Sequence, residues 1–297
     1  MIPFPDISPE LFSFSLGSIE LALRWYSLSY IFGFMIALYL MRNVVSKTFL
    51  WKDKSPKMEL AQVDTMLTYL IFGVIIGGRL GYVFFYNLDF YLSEPVAVFR
   101  LWDGGMSFHG GFLGVVFAVF IFCIRNGLPV LSIADLVAFA SPPGLFLGRC
   151  ANFINNELWG RPTSAPWGVI FPGDVAQNCP EYDGLCARHP TQIYEAGLEG
   201  FALFLILYFL VRLGYLKRPG FITGVFGFFY GLSRFIVEFY RVPDPQFFSS
   251  DNPFGFAYSI GGFGVTMGQA LSLPMIAVGL LLVIIGSGSN HKTGHNL

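Results

Sequence analysis

The chain of 297 residues is 54% hydrophobic and only 12% charged, which leaves too little polar surface to cover a soluble domain of that size. Its formal net charge of -1 argues against a nucleic-acid partner, and its four cysteines form no metal-like array. These values place the chain in lipid.

The first lysine or arginine is Arg24, so the N-terminus lacks the basic segment of a cleaved secretory signal, and the first apolar run is expected to remain as an anchor. A bilayer core of roughly 30 Å takes about 20 mostly apolar residues per helix. Seven such runs are predicted, near Leu21–Met41, Met66–Tyr86, Phe108–Ile124, Ile133–Phe153, Gln192–Leu213, Phe221–Tyr240 and Val265–Ile285. The expectation is an all-α integral membrane protein, read as one domain over residues 1–297, with a small irregular head at about 155–190 rich in proline.

Between the first two runs, Arg42, Lys47, Lys52, Lys54 and Lys57 form a basic loop that the positive-inside rule places in the cytoplasm, with the N-terminus outside. Alternation then puts Arg125, Arg212, Lys217, Arg218, Lys292 and the C-terminus inside as well. Every other basic residue is an arginine: Arg24, Arg79, Arg100, Arg149, Arg161, Arg188, Arg234 and Arg241, at the outer side or within spans. A charge at membrane depth needs a partner, and a guanidinium grips phosphate or carboxylate with two prongs. Phosphate binding and structural pairing with interface anchoring are both open readings at this point.

Taken along the chain, Arg24 and Tyr26 stand at the entry of the first span, where Tyr26 alone would pass as an aromatic-belt residue, and Arg79 lies in the second. The stretch WDGGMSFHGGFLGV brings His109 to the start of the third span, followed by Gly110 and Gly111, which let another backbone or a lipid headgroup approach. A histidine near its ordinary pKa of about 6.5 can act as a general base; the alternative is an interfacial histidine donating to a carbonyl. Ser141-Pro142-Pro143-Gly144 interrupts the fourth span, a break that transporters also use, although no inverted repeat accompanies it.

At the outer end of that span, GRCANFINNELWGRPT gathers Arg149, Asn152, Asn155, Asn156, Glu157 and Arg161. A continued helix would put Arg149, Asn152 and Asn156 on one face, with amides donating to a phosphate or glycerol oxygen beside the guanidinium; helix capping with an Arg149–Glu157 pair is the alternative. Cys179 and Cys186 share one polar loop, where a local disulfide suits an oxidising compartment. In the sixth span RFIVEFYR sets Arg234 and Glu238 four apart with Arg241 beyond, either a structural pair or an anion-binding arginine oriented by its glutamate.

The pieces GGMSFHGG, GRCANFINNELWGRPT, HPTQIYEA, RFIVEFYRVPD and MGQALSLPM, in this order over most of the chain, make it resemble the bacterial prolipoprotein diacylglyceryl transferases. The resemblance implies an inner-membrane enzyme that moves a diacylglyceryl group from phosphatidylglycerol to the lipobox cysteine thiol of a preprolipoprotein and releases glycerol 1-phosphate. It ties Tyr26, His109, Arg149, Asn152, Glu157, Gly160, Arg234 and Glu238 to activity or lipid binding. On this reading His109 is the base, Arg149 and Arg234 stabilise the leaving phosphate, Asn152 and Tyr26 orient the headgroup, and Glu157 and Glu238 hold the arginines. Asn155, Arg161 and Arg241 add contacts to the lipid, Gly160 lets the head loop pass close to it, and no metal or organic cofactor is required. Cys150 within the signature and the Cys179/Cys186 pair depart from the family pattern.

Overall fold

The computed structural model describes residues 1–16, 19–179, 184–242, 247, 249, 251–260 and 263–288. Among them, seven helices are long and apolar enough to cross a membrane: α1 (Trp25–Ser46), α2 (Leu60–Tyr86), α3 (Phe108–Asn126), α4 (Val130–Ile154), α5 (Thr191–Arg212), α6 (Phe221–Tyr240) and α7 (Met267–Gly288). The chain is therefore a multi-pass, predominantly helical membrane protein. Large apolar side chains such as Phe72, Phe117, Phe209 and Ile284 remain exposed on these helices, as hydrocarbon-facing surfaces require.

The first helix starts later than its hydropathy predicts. Leu21 to Arg24 belong to strand β3 (Ile19–Arg24), which pairs antiparallel with β2 (Glu10–Leu16), and Arg24 reaches Glu10 at 3.3 Å. Hydropathy cannot tell a half-exposed apolar strand from the first turn of a span, so the expected boundary is corrected to Trp25. Val265 likewise ends strand β6 (Phe263–Val265), paired with β5 (Tyr258–Ile260), and does not open α7.

Two compact units divide the chain. One comprises the described residues of Met1–Ala37, Ala138–Tyr215 and Phe221–Leu297; the other comprises Leu38–Val137 and Leu216–Gly220. Within the second unit, α2 and α3 meet backbone to backbone at Gly77, Gly81 and Gly110, so the glycine beside His109 admits a neighbouring helix. Arg79 is buried there: its guanidinium donates to the carbonyls of Ala97, Val98, Arg100, Gly104 and Gly105 and lies 5.2 Å from the Tyr91 ring. It therefore shapes the loop that leads to His109. The basic loop is packed as well, with Trp51 buried and Arg42 Nη1 donating to both carboxylate oxygens of Asp64, at 2.7 and 2.9 Å.

In the first unit, α4 is broken at Ser141, because Pro142 and Pro143 remove donors from the helical ladder. A π-helical turn over Ala196–Ala202 interrupts α5, a feature that recurs at functional sites. The head packs a small core of Val169, Phe171 and Ala176 with Phe4, Phe153 and Trp159. Strand β4 (Val169–Ile170) receives the N-terminal β1 (Ile2–Pro3) in parallel. A disulfide joins Cys179 to Cys186, and the Arg188 guanidinium ties the head together by donating to the carbonyls of Ala176, Asn178 and Gly160.

Candidate active site

Three helices of the first unit converge on a buried knot of charge. From α5, Glu195 and Glu199 project inward, each fully buried, on either side of the start of the π turn. The C-terminal half of α4 contributes Arg149, which meets Glu195 at 3.0 Å and Glu199 at 3.5 Å and is hydrogen-bonded with the buried Tyr230 of α6. The end of α6 contributes Arg234, paired with Glu195 and, at 2.9 Å, with Glu238; Arg241, one turn on, reaches Glu195 at 2.8 Å and Glu238 at 3.5 Å. Arg234 and Glu238 thus make the i, i+4 pair that their spacing predicts, but Glu195 is the hub.

Such a knot balances its charges, since Arg149, Arg234 and Arg241 face Glu195, Glu199 and Glu238; an unbalanced charge in this setting would be strongly destabilising. Its exposure is asymmetric. The arginine side chains keep 16%, 19% and 13% of their surface accessible in chain order, whereas Glu195 and Glu199 keep none and Glu238 keeps 7%. The carboxylates therefore lie deeper than the arginine side chains they pair with, and each guanidinium carries five N–H donors in a planar fork.

Around the knot, the polar signature folds differently from a continued helix. The helix ends at Ile154, and Asn156 and Leu158 take left-handed backbone conformations that reverse the chain. Asn156 consequently leaves the face of Arg149 and Asn152 and donates to the Pro172 carbonyl at 2.8 Å. Glu157 does not hold an arginine: its carboxylate accepts from Asn152 at 2.7 Å and from Asn155 at 3.4 Å, while Arg149 turns to Glu195 and Glu199. The reversal after Ile154 swings Glu157 away, and the α5 carboxylates, invisible in the local spacing, take its place.

Gly160 approaches backbone rather than an open surface. Its N–H donates to the His189 carbonyl at 2.8 Å, it bridges Arg241, and a side chain would collide with Tyr240 and His189. That corrects the expectation of a glycine passing close to lipid. Arg161 donates to the Arg241 carbonyl at 2.8 Å and to the Phe254 carbonyl at 3.5 Å, so it frames the segment carrying Arg241. Tyr26, exposed at the start of α1, has its hydroxyl 3.3 Å from that of Tyr30 and lies near enough to Glu157 and Arg149 to feel their charges. His109 belongs to the second unit, on the exposed first turn of α3, with its ring edge-on to Phe108.

Beside Tyr240, Trp167 and His189 both bond the Tyr194 hydroxyl, at 2.8 and 3.0 Å, and burial lowers the His189 pKa below its ordinary 6.5. The groove there is walled by Ile193, Leu198, Ile236 and Val237 as well as these rings. Its lining suits hydrocarbon.

A profile of the family described as prolipoprotein diacylglyceryl transferase matches residues 12–285. The chain belongs to the prolipoprotein diacylglyceryl transferase family. It is 56% identical over 284 residues to a phosphatidylglycerol--prolipoprotein diacylglyceryl transferase of Cereibacter sphaeroides, covering 95% of this chain and 97% of the relative. Similar proteins of that description in Ruegeria pomeroyi and Bradyrhizobium diazoefficiens are 55% and 46% identical, each over 96% of this chain and over 97% and 93% of the relatives.

Glu195, Glu199 and Tyr230 join this cluster without having stood out in the sequence. A signal for the first two exists: a pair of carboxylates four residues apart in an otherwise apolar span demands cationic partners. HPTQIYEA contains Glu195, and only the packing of α5 against α4 and α6 discloses which arginines it serves.

Proposed function

We propose that this chain transfers the diacylglyceryl group of phosphatidylglycerol to the lipobox cysteine thiol of a preprolipoprotein, the first step of lipoprotein maturation. The cysteine sulfur attacks the glyceryl C3 carbon, a C–S bond forms as the C–O bond to phosphate breaks, and glycerol 1-phosphate departs with the electron pair. The thiol proton goes to a base, because the thiolate is the nucleophile and a free cysteine has a pKa of about 8.5.

The observation that carries this reading is the partial accessibility of the Arg149, Arg234 and Arg241 side chains, paired with carboxylates that are almost wholly buried. Fixed donors aimed at a charge that develops in the transition state need no reorganisation when it appears, and removing one such donor typically slows catalysis by about 100- to 1000-fold. Asn152, held by Glu157, and Tyr26, near Arg149, are assigned to the headgroup. His109 is assigned the role of base on its motif, and the whole chain is treated as one catalytic domain.

The inner membrane with the site on the periplasmic side is the proposed location. The basic loop of Arg42, Lys47, Lys52, Lys54 and Lys57 supports a cytoplasmic side for the α1–α2 connection, and the Cys179–Cys186 bond suits an oxidising compartment for the head. The decisive experiment incubates purified protein with phosphatidylglycerol vesicles and a lipobox peptide and looks for the diacylglyceryl mass increment. A peptide of unchanged mass under conditions where the protein is folded would refute the assignment.

A further inference from the structure

Among the family-like motifs, MGQALSLPM has no role in the chemistry above, yet its first turn touches the knot. Thr266 precedes α7 and forms a reciprocal cap with Gln269: the Gln269 N–H donates to the Thr266 hydroxyl oxygen at 3.3 Å, and the Gln269 side chain accepts from the Thr266 N–H at 3.1 Å. With its oxygen engaged by the helix, the Thr266 hydroxyl directs its single proton to Glu238, whose Oε1 accepts it at 3.0 Å. Both capping residues are buried.

Gly268 completes the arrangement. A Cβ built there would stand 2.5 Å from Glu238 Oε2 and Cδ and 2.7 Å from Oε1, closer than any carboxylate tolerates. The positive end of the α7 dipole also faces this carboxylate and favours its charge. Glu238 in turn pairs with Arg234 at 2.9 Å and Arg241 at 3.5 Å.

We propose that the entrance of α7, Thr266-Met267-Gly268-Gln269, is a seat for Glu238, making Thr266 and Gly268 positioning residues for the arginines that receive the leaving phosphate. The inference rests on the phosphate role proposed above and adds residues remote from the lipid. A methyl at Gly268 pushes Glu238 off Arg234, whereas a shorter carboxylate at position 238 makes room for that methyl.

The test is a double-mutant cycle read by kcat and KM for phosphatidylglycerol in mixed micelles, with melting temperature recorded alongside. Gly268→Ala is expected to lower kcat about tenfold or more, within the coupling range of contacting residues. Glu238→Asp is expected to impair the parent enzyme but to restore activity in the Gly268→Ala background, a reversal of sign that a general packing defect does not produce. Thr266→Ser should retain the rate and Thr266→Val lose it, and this pair decides the matter if Gly268→Ala does not fold. A double variant no better than Gly268→Ala, or equal rates for Thr266→Ser and Thr266→Val, overturns the seat. Arg234→Lys is the control: if it too is fully active, the phosphate reading itself has failed, whereas an inactive Arg234→Lys beside active seat variants removes the seat alone.

Discussion

Replacing Glu195 by glutamine keeps the side chain's volume and removes its charge. Glu195 is fully buried and pairs with Arg149 at 3.0 Å, with Arg234, and with Arg241 at 2.8 Å, so among the described residues the variant leaves Glu199 and Glu238 as the carboxylates facing three guanidiniums. Breaking a buried ion pair from one side typically costs about 3–5 kcal/mol, because a charge stays behind without its partner. For a chain of this size such a loss lowers the melting temperature by on the order of 10 °C. On the proposed phosphate role, unheld arginines also lose their aim, and kcat should fall by about 100-fold. Thermal unfolding in detergent and the mass-shift assay measure the two effects separately. The excess positive charge makes a further demand: phosphatidylglycerol, which supplies an anion in place of the lost carboxylate, should raise the melting temperature of Glu195→Gln more than that of the parent. A variant that melts within about 1 °C of the parent and keeps its rate would show that Glu195 is not the hub of the knot.

Arg149→Lys retains the charge but replaces the planar fork by a point charge, and transfer should fall by about 100-fold or more in the mass-shift assay. Arg79→Met strands the carbonyls of Ala97, Val98, Arg100, Gly104 and Gly105; limited proteolysis should show cleavage in this segment first, at a protease level that leaves the parent intact. His189 binds a proton less readily in the folded chain than in the unfolded one, so its contribution to stability is complete above about pH 6.5 and is lost as pH falls toward its lowered pKa. The melting temperature of the parent should therefore drop more from about pH 7.5 to about pH 5 than that of His189→Gln. Reduction of the Cys179–Cys186 bond reopens a short loop worth about 2.5 kcal/mol in chain entropy, and alkylation should label both cysteines only after reductant is added.

The site's inward and outward faces were legible to different degrees. Arg149, Asn152, Arg234 and Glu238 stand out in the sequence because polar side chains in apolar runs need a reason to be there, and the Arg234–Glu238 spacing alone sets an ion pair on one helix. Glu157 misleads for a local reason. Its neighbours suggest a helix carrying it toward Arg149, whereas left-handed Asn156 and Leu158 turn it to Asn152. Glu195 and Thr266 could not be matched to their partners, because residues 46 and 28 positions away in the chain, Arg241 and Glu238, complete those contacts.

Hydropathy alone determined that the chain spans a membrane through seven helices, since a bilayer excludes any long segment that cannot bury its polar backbone and every apolar run of sufficient length has that one outcome. The motifs and their order pointed to the family, which the match over residues 12–285 shows. Only the tertiary structure decided which carboxylate serves which arginine. Ion pairing is set by distance in space, and α4, α5 and the end of α6 bring together charges that no periodicity along the chain relates, while Thr266 ahead of α7 adds a hydroxyl.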